Sequence, residues 1–349
     1  MKKSLIALAA LAAVGAASAQ SSVTLYGLID AGYSWAEHTG KQPGSTIKTT
    51  ETGFTSGNLS GSRWGMKGQE DLGNGLAAVF NVEAGFDSIN GDFKSGFNRR
   101  SVVGLKGSFG QVVVGRDYTP IDDLASGKYQ AIDSFSYDNL GGYYMDRPED
   151  GPDLYTDRYN GIHYTGEFSG VSVKAFAGYD ETKFEHTGLP TTTTKGHGVG
   201  LGLGYASGAF SIDGAVQHFE QAIALPGAGN KNTEFGVGAS YDFGPAKLMG
   251  HYIGNKIQDF PTFQQFGLGV TAPFGAATLG AQYAYNRGKT PFPMFGATKV
   301  SGHDFGVIAN YALSKRTDLY ARAMRSNAWK VGDDKTYSDS VTVGVRHRF

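Results

Sequence analysis

The sequence contains no cysteine. Disulfides and thiolate metal sites are therefore excluded from its chemistry. Beyond the N-terminal segment, no stretch approaches the roughly 18 apolar residues that a membrane-spanning helix needs. Helical membrane proteins are excluded on this ground, although a mean hydropathy of -0.27 would by itself suit a soluble protein.

Other functional classes lack their signatures as well. The eight histidines form no H-x-x-x-H pair, so we expect no metal site. Glycines at 196, 198, 200, 202 and 204 repeat every second residue and lack the third glycine of a nucleotide-binding loop, which favours a strand with one small-residue face. No Ser, His and acid spacing suggests a catalytic triad. We therefore expect no cofactor and no enzyme activity.

The N-terminus has the pattern of an export signal. Basic Lys2 and Lys3 precede an apolar run, and small residues surround a cleavage site at Ala17-Ser18-Ala19. This order predicts a secretory signal peptide over residues 1–19 and a mature chain over 20–349. The formal charge, -1 for the full chain, stays close to neutral after cleavage, which argues against a nucleic-acid partner.

Glycine and aromatic residues are abundant, with 52 glycines, 19 tyrosines and 22 phenylalanines. Short turn signals recur down the chain, and with both termini on the same side they bound eight out-and-back excursions, or sixteen strands. The turns are at Gly73-Asn74-Gly75, Ser108-Phe109-Gly110, Ser169-Gly170, Ser207-Gly208, Phe243-Gly244-Pro245, Phe274-Gly275 and Ser314-Lys315-Arg316. The opposite segments, such as Glu37 to Asn58, are longer and more polar, and we predict them to be loops.

Between the turns, apolar and polar residues alternate with the period of a strand. In the last strand, Val341, Val343 and Val345 share one face, while Arg346 and Arg348 share the other. A soluble sandwich would have to protect its edge strands. A membrane barrel instead turns the apolar face to lipid and closes on itself. We favour an all-β fold: a transmembrane, antiparallel, sixteen-stranded β-barrel, which is wide enough to leave an aqueous channel.

One long segment interrupts this regular pattern. Residues 118–157 contain nine Asp and Glu residues, with Lys128, Arg147 and several tyrosines among them. A segment of this length without its own strands is either functional or disordered, and its aromatic content argues against disorder. We predict that this third extracellular loop folds into the barrel and narrows the pore.

Several stretches resemble the general porins of Gram-negative outer membranes, in the branch whose mature chain begins SSVTLYG. Those letters stand at residues 21–27, and SRWGMKGQEDLG at residues 62–73 resembles the second strand of the family. VEAGF at 82–86, NRRS at 98–101 and GRDY at 115–118 are similar to the following strands. The terminal GVRHRF resembles the ending, with Phe349 last, that the outer-membrane assembly machinery recognises.

The resemblance implies a homotrimer of barrels in the outer membrane, in contact with lipid and lipopolysaccharide. It also implies a charged constriction in which loop acids face basic residues of the barrel wall. Carried onto this sequence, the basic residues are Arg63, one of Arg99 and Arg100, and one of Arg147 and Arg158. The acids are Asp122 and Asp123 on the loop and Glu83 on the wall. We also expect Arg116 to face the lumen.

Strand alternation places some of these residues independently. Arg63 and Lys67 lie opposite Trp64 and Met66 in the pattern of their strand, so both should face the lumen. Arg99 and Arg100 should lie on opposite faces, and the pattern favours Arg100 because its parity is opposite to that of Val103 and Leu105.

These observations predict an outer-membrane porin through which ions and small hydrophilic solutes diffuse passively. We expect a weak preference for anions, since arginines at the narrowest point act at close range while outer acids are screened within about 10 Å. The alternative is a substrate-specific channel for organic anions or sugars. A barrel enzyme and a non-conducting adhesin are more distant alternatives.

Overall fold

Two-residue turns join neighbouring strands at one end of the fold. Asn74 and Gly75 have positive φ values of 53° and 77°, and Ser169 and Gly170 have values of 50° and 84°. Consecutive positive φ angles are typical of the hairpin turns that match the twist of antiparallel strands. These two turns lie where the sequence predicts them.

The computed structural model describes residues 22–42, 44–93, 96–132, 157–184, 192–220, 231–258, 262–289, 299–327 and 335–349. These residues form the strands β1 Ser22–Gln42, β2 Ser45–Ser56, β3 Arg63–Gly73, β4 Leu76–Gly85, β5 Arg100–Gly107, β6 Gly110–Tyr118, β7 Arg158–Phe168, β8 Val171–Phe184, β9 Thr192–Ser207, β10 Phe210–Glu220, β11 Lys231–Asp242, β12 Lys247–Ile257, β13 Phe263–Phe274, β14 Ala277–Lys289, β15 Lys299–Ala312, β16 Thr317–Asn327 and β17 Lys335–Arg348. One short helix, α1 Asp122–Ala125, follows β6. In these ranges no helix has the length and apolar character required to cross a membrane.

The strands form one closed antiparallel sheet. Each strand from β3 to β17 pairs with the next in sequence, and β17 pairs back onto β1. The opposite edge of β1 pairs first with β3, over Ser22–Leu28, and then with β2, over Ala31–Gln42. Because β2 and β3 occupy one position in the ring, the seventeen strands make sixteen barrel positions. The predicted sixteen-stranded barrel is confirmed.

The two faces of the sheet have reversed polarity compared with a soluble protein. In β13, Leu268 is 61% exposed on the outer face, whereas Gln265 on the inner face is 4% exposed. The same alternation holds in the last strand, where the predicted division of Val341, Val343 and Val345 from Arg346 and Arg348 agrees with their burial. An apolar outer surface and a polar interior are what a barrel in a lipid bilayer requires.

The first extracellular connection differs from the sequence prediction. The sequence pattern predicts a loop over Glu37 to Asn58, but β1 continues to Gln42 and β2 begins at Ser45. The two strands pair in register from Ala31↔Ser56 to Gln42↔Ser45. Most of β2 is exposed on both faces. Both faces are therefore polar, and the alternation of apolar and polar residues that indicates a strand is missing from the sequence.

Candidate functional site: a charged constriction inside the barrel

The first part of the predicted loop lies against the inner wall of the barrel. After β6 ends, Ile121, Leu124 and Tyr129 are each completely buried, in one apolar cluster with Ile253 of β12. The backbone N–H of Ala131 donates to Gln282 Oε1 of β14 at 2.7 Å. Residues 119–132 therefore cross the inner face of β10 to β14. Residues 133–156, including Arg147, lie outside the described residues.

Tyr129 is the main polar anchor of this segment. Its hydroxyl donates to Asp213 Oδ2 of β10 at 2.5 Å, and Lys128 forms an ion pair with the same carboxylate. Burial and the hydrogen bond to Asp213 raise the pKa of Tyr129, so the phenol remains a donor at any physiological pH. On the wall, Gly238 leaves the space that the ring occupies, because a Cβ there would lie 2.3 Å from the Tyr129 ring.

A cavity of about 540 Å³ lies between this segment and β3 to β7. Three arginines and three acids line it, together with Tyr118, Ser126 and residues 57–61. The six charged residues are Arg63, Arg99, Arg158, Glu83, Asp122 and Asp157. We call this set the charged ring. Opposed fixed charges across a narrow aqueous gap orient water and polar solutes.

Glu83 connects two of the arginines. Arg99 Nε donates to Glu83 Oε1 at 2.7 Å, and Arg63 Nε lies 3.9 Å from Glu83 Oε2. Tyr26 Oη donates to the same Oε2 at 3.0 Å. The side chain of Glu83 is 8% exposed and that of Arg63 is 28% exposed. The carboxylate thus lies beneath the guanidinium groups, which face the water.

Tyr118 lines the cavity between two arginines, a position that the sequence did not predict. Its hydroxyl accepts hydrogen bonds from Arg99 Nη2 at 2.8 Å and Arg158 Nη2 at 3.3 Å. The Arg158 guanidinium carbon also lies 4.6 Å from the centre of the Tyr118 ring, in cation–π geometry. The sequence feature that points to Tyr118 is its position at the end of the GRDY motif, directly before the long loop.

The two loop acids have different surroundings. Asp123 forms an ion pair with Lys174 of β8 at 2.6 Å. Asp122 lines the cavity, where burial, followed by the nearby charge of Asp157, raises its pKa to about 7. Arg158 and Lys174 partly oppose this shift, and Asp123 adds to it. Asp122 therefore exchanges its proton near neutral pH.

This titration predicts a pH-dependent pore. For a pKa of about 7, Asp122 is about nine-tenths charged at pH 8 and about one-tenth charged at pH 6. Acidification removes a negative charge from the ring, so the preference for anions should rise as the pH falls. Reversal potentials measured at both pH values test this. Asp122→Asn should show the stronger preference at both pH values; a wild-type shift that persists in this variant would assign the titration to another group.

Arg100, Arg116 and Lys67 are not among the residues that line this cavity, although the Arg100 guanidinium carbon lies 5.1 Å from the centre of the Tyr118 ring. Arg100 is on the inner face of β5, as expected from its parity, but Arg100 Nε donates to Asp117 at 2.6 Å in a second cavity that Lys67 also lines. Arg116 lies on the outer face of β6, with exposed Val112 and Val114 and opposite to Asp117, so the expectation that it faces the lumen is wrong. Its Nε donates to the carbonyl of Asn98 at 2.7 Å.

A closed barrel with an apolar exterior, a polar interior and a cavity lined by charged residues has the architecture of a membrane channel. A family model described as Gram-negative porin matches residues 6–328, and the chain belongs to this family. It is 33% identical, with full coverage of both chains, to outer membrane porin protein 32 of Delftia acidovorans. It is 30% identical, again with full coverage, to the major outer membrane protein P.IB of Neisseria gonorrhoeae.

Solved structures agree with this assignment. The anion-selective porin from Comamonas acidovorans has a TM-score of 0.73 and 25% identity, with 95% of this chain and 100% of that chain covered. The trimer form of OmpT of Vibrio cholerae has a TM-score of 0.65 at 16% identity, covering 95% of this chain and 100% of that chain, which is a likeness of fold. The chain is thus an outer-membrane porin, and the predicted channel function and location are confirmed.

Proposed function

We propose that this porin admits small hydrophilic solutes passively with a modest preference for anions, and that the charged ring is its selectivity zone. The segment 118–157 is the constriction loop, and Arg99 rather than Arg100 completes the set of wall arginines. The wider inner surface, with Lys67 and Arg100, forms a basic approach to the ring from the side of the short turns.

The observation that supports this proposal is the unequal exposure of paired charges. Arg100 is 31% exposed and its partner Asp117 10%; Arg348 is 43% exposed and its partner Asp318 11%. The side chain of Arg63 is likewise more exposed than that of Glu83. Among the described inner-face pairs, Arg158 and Asp157 are the exception, because there the acid is the more exposed partner. Since a fixed charge acts most strongly on a solute that approaches it closely, exposed cations over buried acids favour anions. The anion-selective relative from Comamonas is consistent with this preference.

Tracer uptake by vesicles containing the purified protein tests the proposal. Uptake of a small carboxylate should exceed that of an alkylammonium ion of similar size, with both fluxes linear in concentration. Saturation of the carboxylate flux would instead support a substrate-specific channel for organic anions. Faster uptake of the ammonium ion would contradict the assignment of selectivity to the arginines.

We also propose that the functional unit is a homotrimer. The chain is exported with residues 1–19 as a signal peptide that is then cleaved. Phe349 is the signal for assembly into the outer membrane, where lipopolysaccharide surrounds the barrel. The structures of related fold include a trimer form. In the barrel itself, Phe349 completes the closure, because its N–H donates to the carbonyl of Gly27 and its carbonyl accepts from the Gly27 N–H, each at 3.1 Å. Electrophoresis without heating should give one band near three times the mass of the heated chain.

A further inference from the structure

A second segment also lies inside the barrel. Residues 57–62 connect β2 to β3, and their backbone leaves the wall between the two strands. Leu59 is 5% exposed and belongs to a buried apolar cluster with Ile132, at the end of the 119–132 segment, and with Tyr320 of β16. The two inward segments therefore meet, and residues 57–61 form one side of the cavity that contains the charged ring.

A single buried carboxylate holds this second segment. Asp30 of β1 has no exposed surface. Its Oδ2 accepts the backbone N–H groups of Leu59 at 2.8 Å and Ser60 at 2.9 Å, and its Oδ1 accepts the hydroxyl of Tyr320 at 2.6 Å. Hydrogen bonds to a charged acceptor are short and strong. Without the carboxylate, the buried N–H of Leu59 and the partly buried N–H of Ser60 would lose their partner.

The backbone of Asp30 adds to this attachment. Its carbonyl accepts from the N–H of Gly57 at 2.9 Å, from Ser62 Oγ at 3.2 Å and from Ser88 Oγ at 2.7 Å, while its N–H donates to Ser62 Oγ at 3.0 Å. Both ends of the segment are therefore fixed to the same residue. The middle, at Leu59 and Ser60, depends on the side chain.

The held segment in turn positions arginines. The carbonyl of Gly61 accepts from Arg63 Nη1 at 3.2 Å, and Ser60 Oγ accepts from Arg346 Nη1 at 3.0 Å. A Cβ at Gly61 would lie 3.3 Å from Arg99 Nη1, so the segment borders that guanidinium as well. A shift of the 57–62 backbone would remove a partner of Arg63 and open the space beside Arg99.

We propose that Asp30 is a positioning residue that holds residues 57–62 as a second wall of the constriction, in contact with the 119–132 segment, and thereby fixes both pore width and the orientation of Arg63. This inference rests on the proposed function, since it assigns selectivity to the same charged ring. The neutral backbone wall and the charged loop wall together determine which small anions pass.

The first test compares three variants at Asp30 and Tyr320. Asp30→Ala should raise single-channel conductance by about 1.5-fold or more and reduce the anion preference, because Leu59 and Ser60 lose their acceptor, the middle of the segment shifts and Arg63 loses its contact with the Gly61 carbonyl. Asp30→Asn should stay near wild type, since its carbonyl oxygen can accept both backbone N–H groups while its amide donates to the Tyr320 oxygen. Tyr320→Phe, which keeps those N–H contacts, should have only a small effect. Unchanged conductance and reversal potential in a folded Asp30→Ala trimer would overturn the proposal.

The second test does not depend on the folding of an Asp30 variant. Because the chain has no cysteine, Gly61→Cys introduces a single thiol, and among the described residues Arg99 alone lies within 4 Å of the added Cβ. A methanethiosulfonate reagent bearing a sulfonate should reduce conductance in steps as each subunit is labelled. Ser207→Cys, at the exposed end of β9 beside the turn to β10, is the matched control and should conduct normally after labelling. Labelling of residue 61 without loss of conductance would contradict a wall at this position.

The two levels of proposal can fail separately. Vesicle uptake could show no anion preference while labelling of Gly61→Cys reduces conductance and Asp30→Ala increases it. In that case the second wall is supported and the assigned selectivity is wrong. If Arg63→Gln changes selectivity while Asp30→Ala and labelled Gly61→Cys both keep the wild-type conductance, the selectivity assigned to the charged ring is supported and the proposed second wall is wrong.

Discussion

Arg63→Gln should convert the modest anion preference into a preference for cations. The described part of the ring contains three guanidinium and three carboxyl groups, so each lost cation leaves an excess of negative charge. Two unit charges about 4 Å apart in water interact by about 1 kcal/mol, which corresponds to about a fivefold decrease in anion permeability and about a fivefold increase in cation permeability when the cation is lost. Arg63 is the arginine with the most exposed side chain in the Glu83 network, so its charge reaches the solute path.

Reversal potentials under a salt gradient measure this change. Glu83→Gln is the matched opposite variant and should increase the anion preference, since the two arginines then lack their carboxylate. Arg287→Gln is the control of equal charge change on the outer face, where Arg287 Nε donates to Gln264. A reversal potential that Arg63→Gln leaves at the wild-type value would remove Arg63 from the selectivity zone.

Tyr129→Ala should release the 119–132 segment from the wall and increase single-channel conductance. The ring is completely buried and its hydroxyl bonds to Asp213. Truncation of a large buried aromatic side chain removes about 3–5 kcal/mol of packing, which is much of what a short segment can gain from contacts in the lumen. The segment then samples positions away from β10 and β11, and the aqueous path widens.

Gly238→Ala provides an independent route to the same result, because the new methyl group would collide with the Tyr129 ring while the segment keeps its sequence. Tyr241→Ala, on the same strand but exposed on the outer face, is the matched control and should not alter conductance. Wild-type conductance in folded trimers of both Tyr129→Ala and Gly238→Ala would show that the segment does not narrow the pore.

The fold could be predicted from the sequence because a barrel repeats one local rule. Alternation at Val341, Val343 and Val345, together with turn signals such as Asn74-Gly75, determines faces and strand number at every hairpin. The rule fails where a strand has no lipid face. The β1–β2 hairpin beyond Glu37 is exposed on both sides, and its polar sequence therefore indicated a loop.

The residues of the charged ring were harder to predict than the strands. Their contacts depend on where each side chain lies along the barrel axis and on segments that are not part of the sheet. Alternation gave the inner face for Arg100 but could not give its partner Asp117. Arg99 precedes the first residue of β5, so strand parity does not apply to it, and its side chain reaches Glu83. The break between β2 and β3, which Asp30 supports, has no local signal in GNLSGS beyond its glycines.

The reversal potential of single wild-type channels under a tenfold gradient of potassium chloride at pH 8 tests the central claim most directly, that the arginines of the charged ring set selectivity. The account predicts three equal conductance steps and a reversal potential of modest size on the chloride side, which increases when the pH is lowered to 6. A reversal potential on the potassium side at both pH values would contradict it and assign control of the pore to the acidic residues.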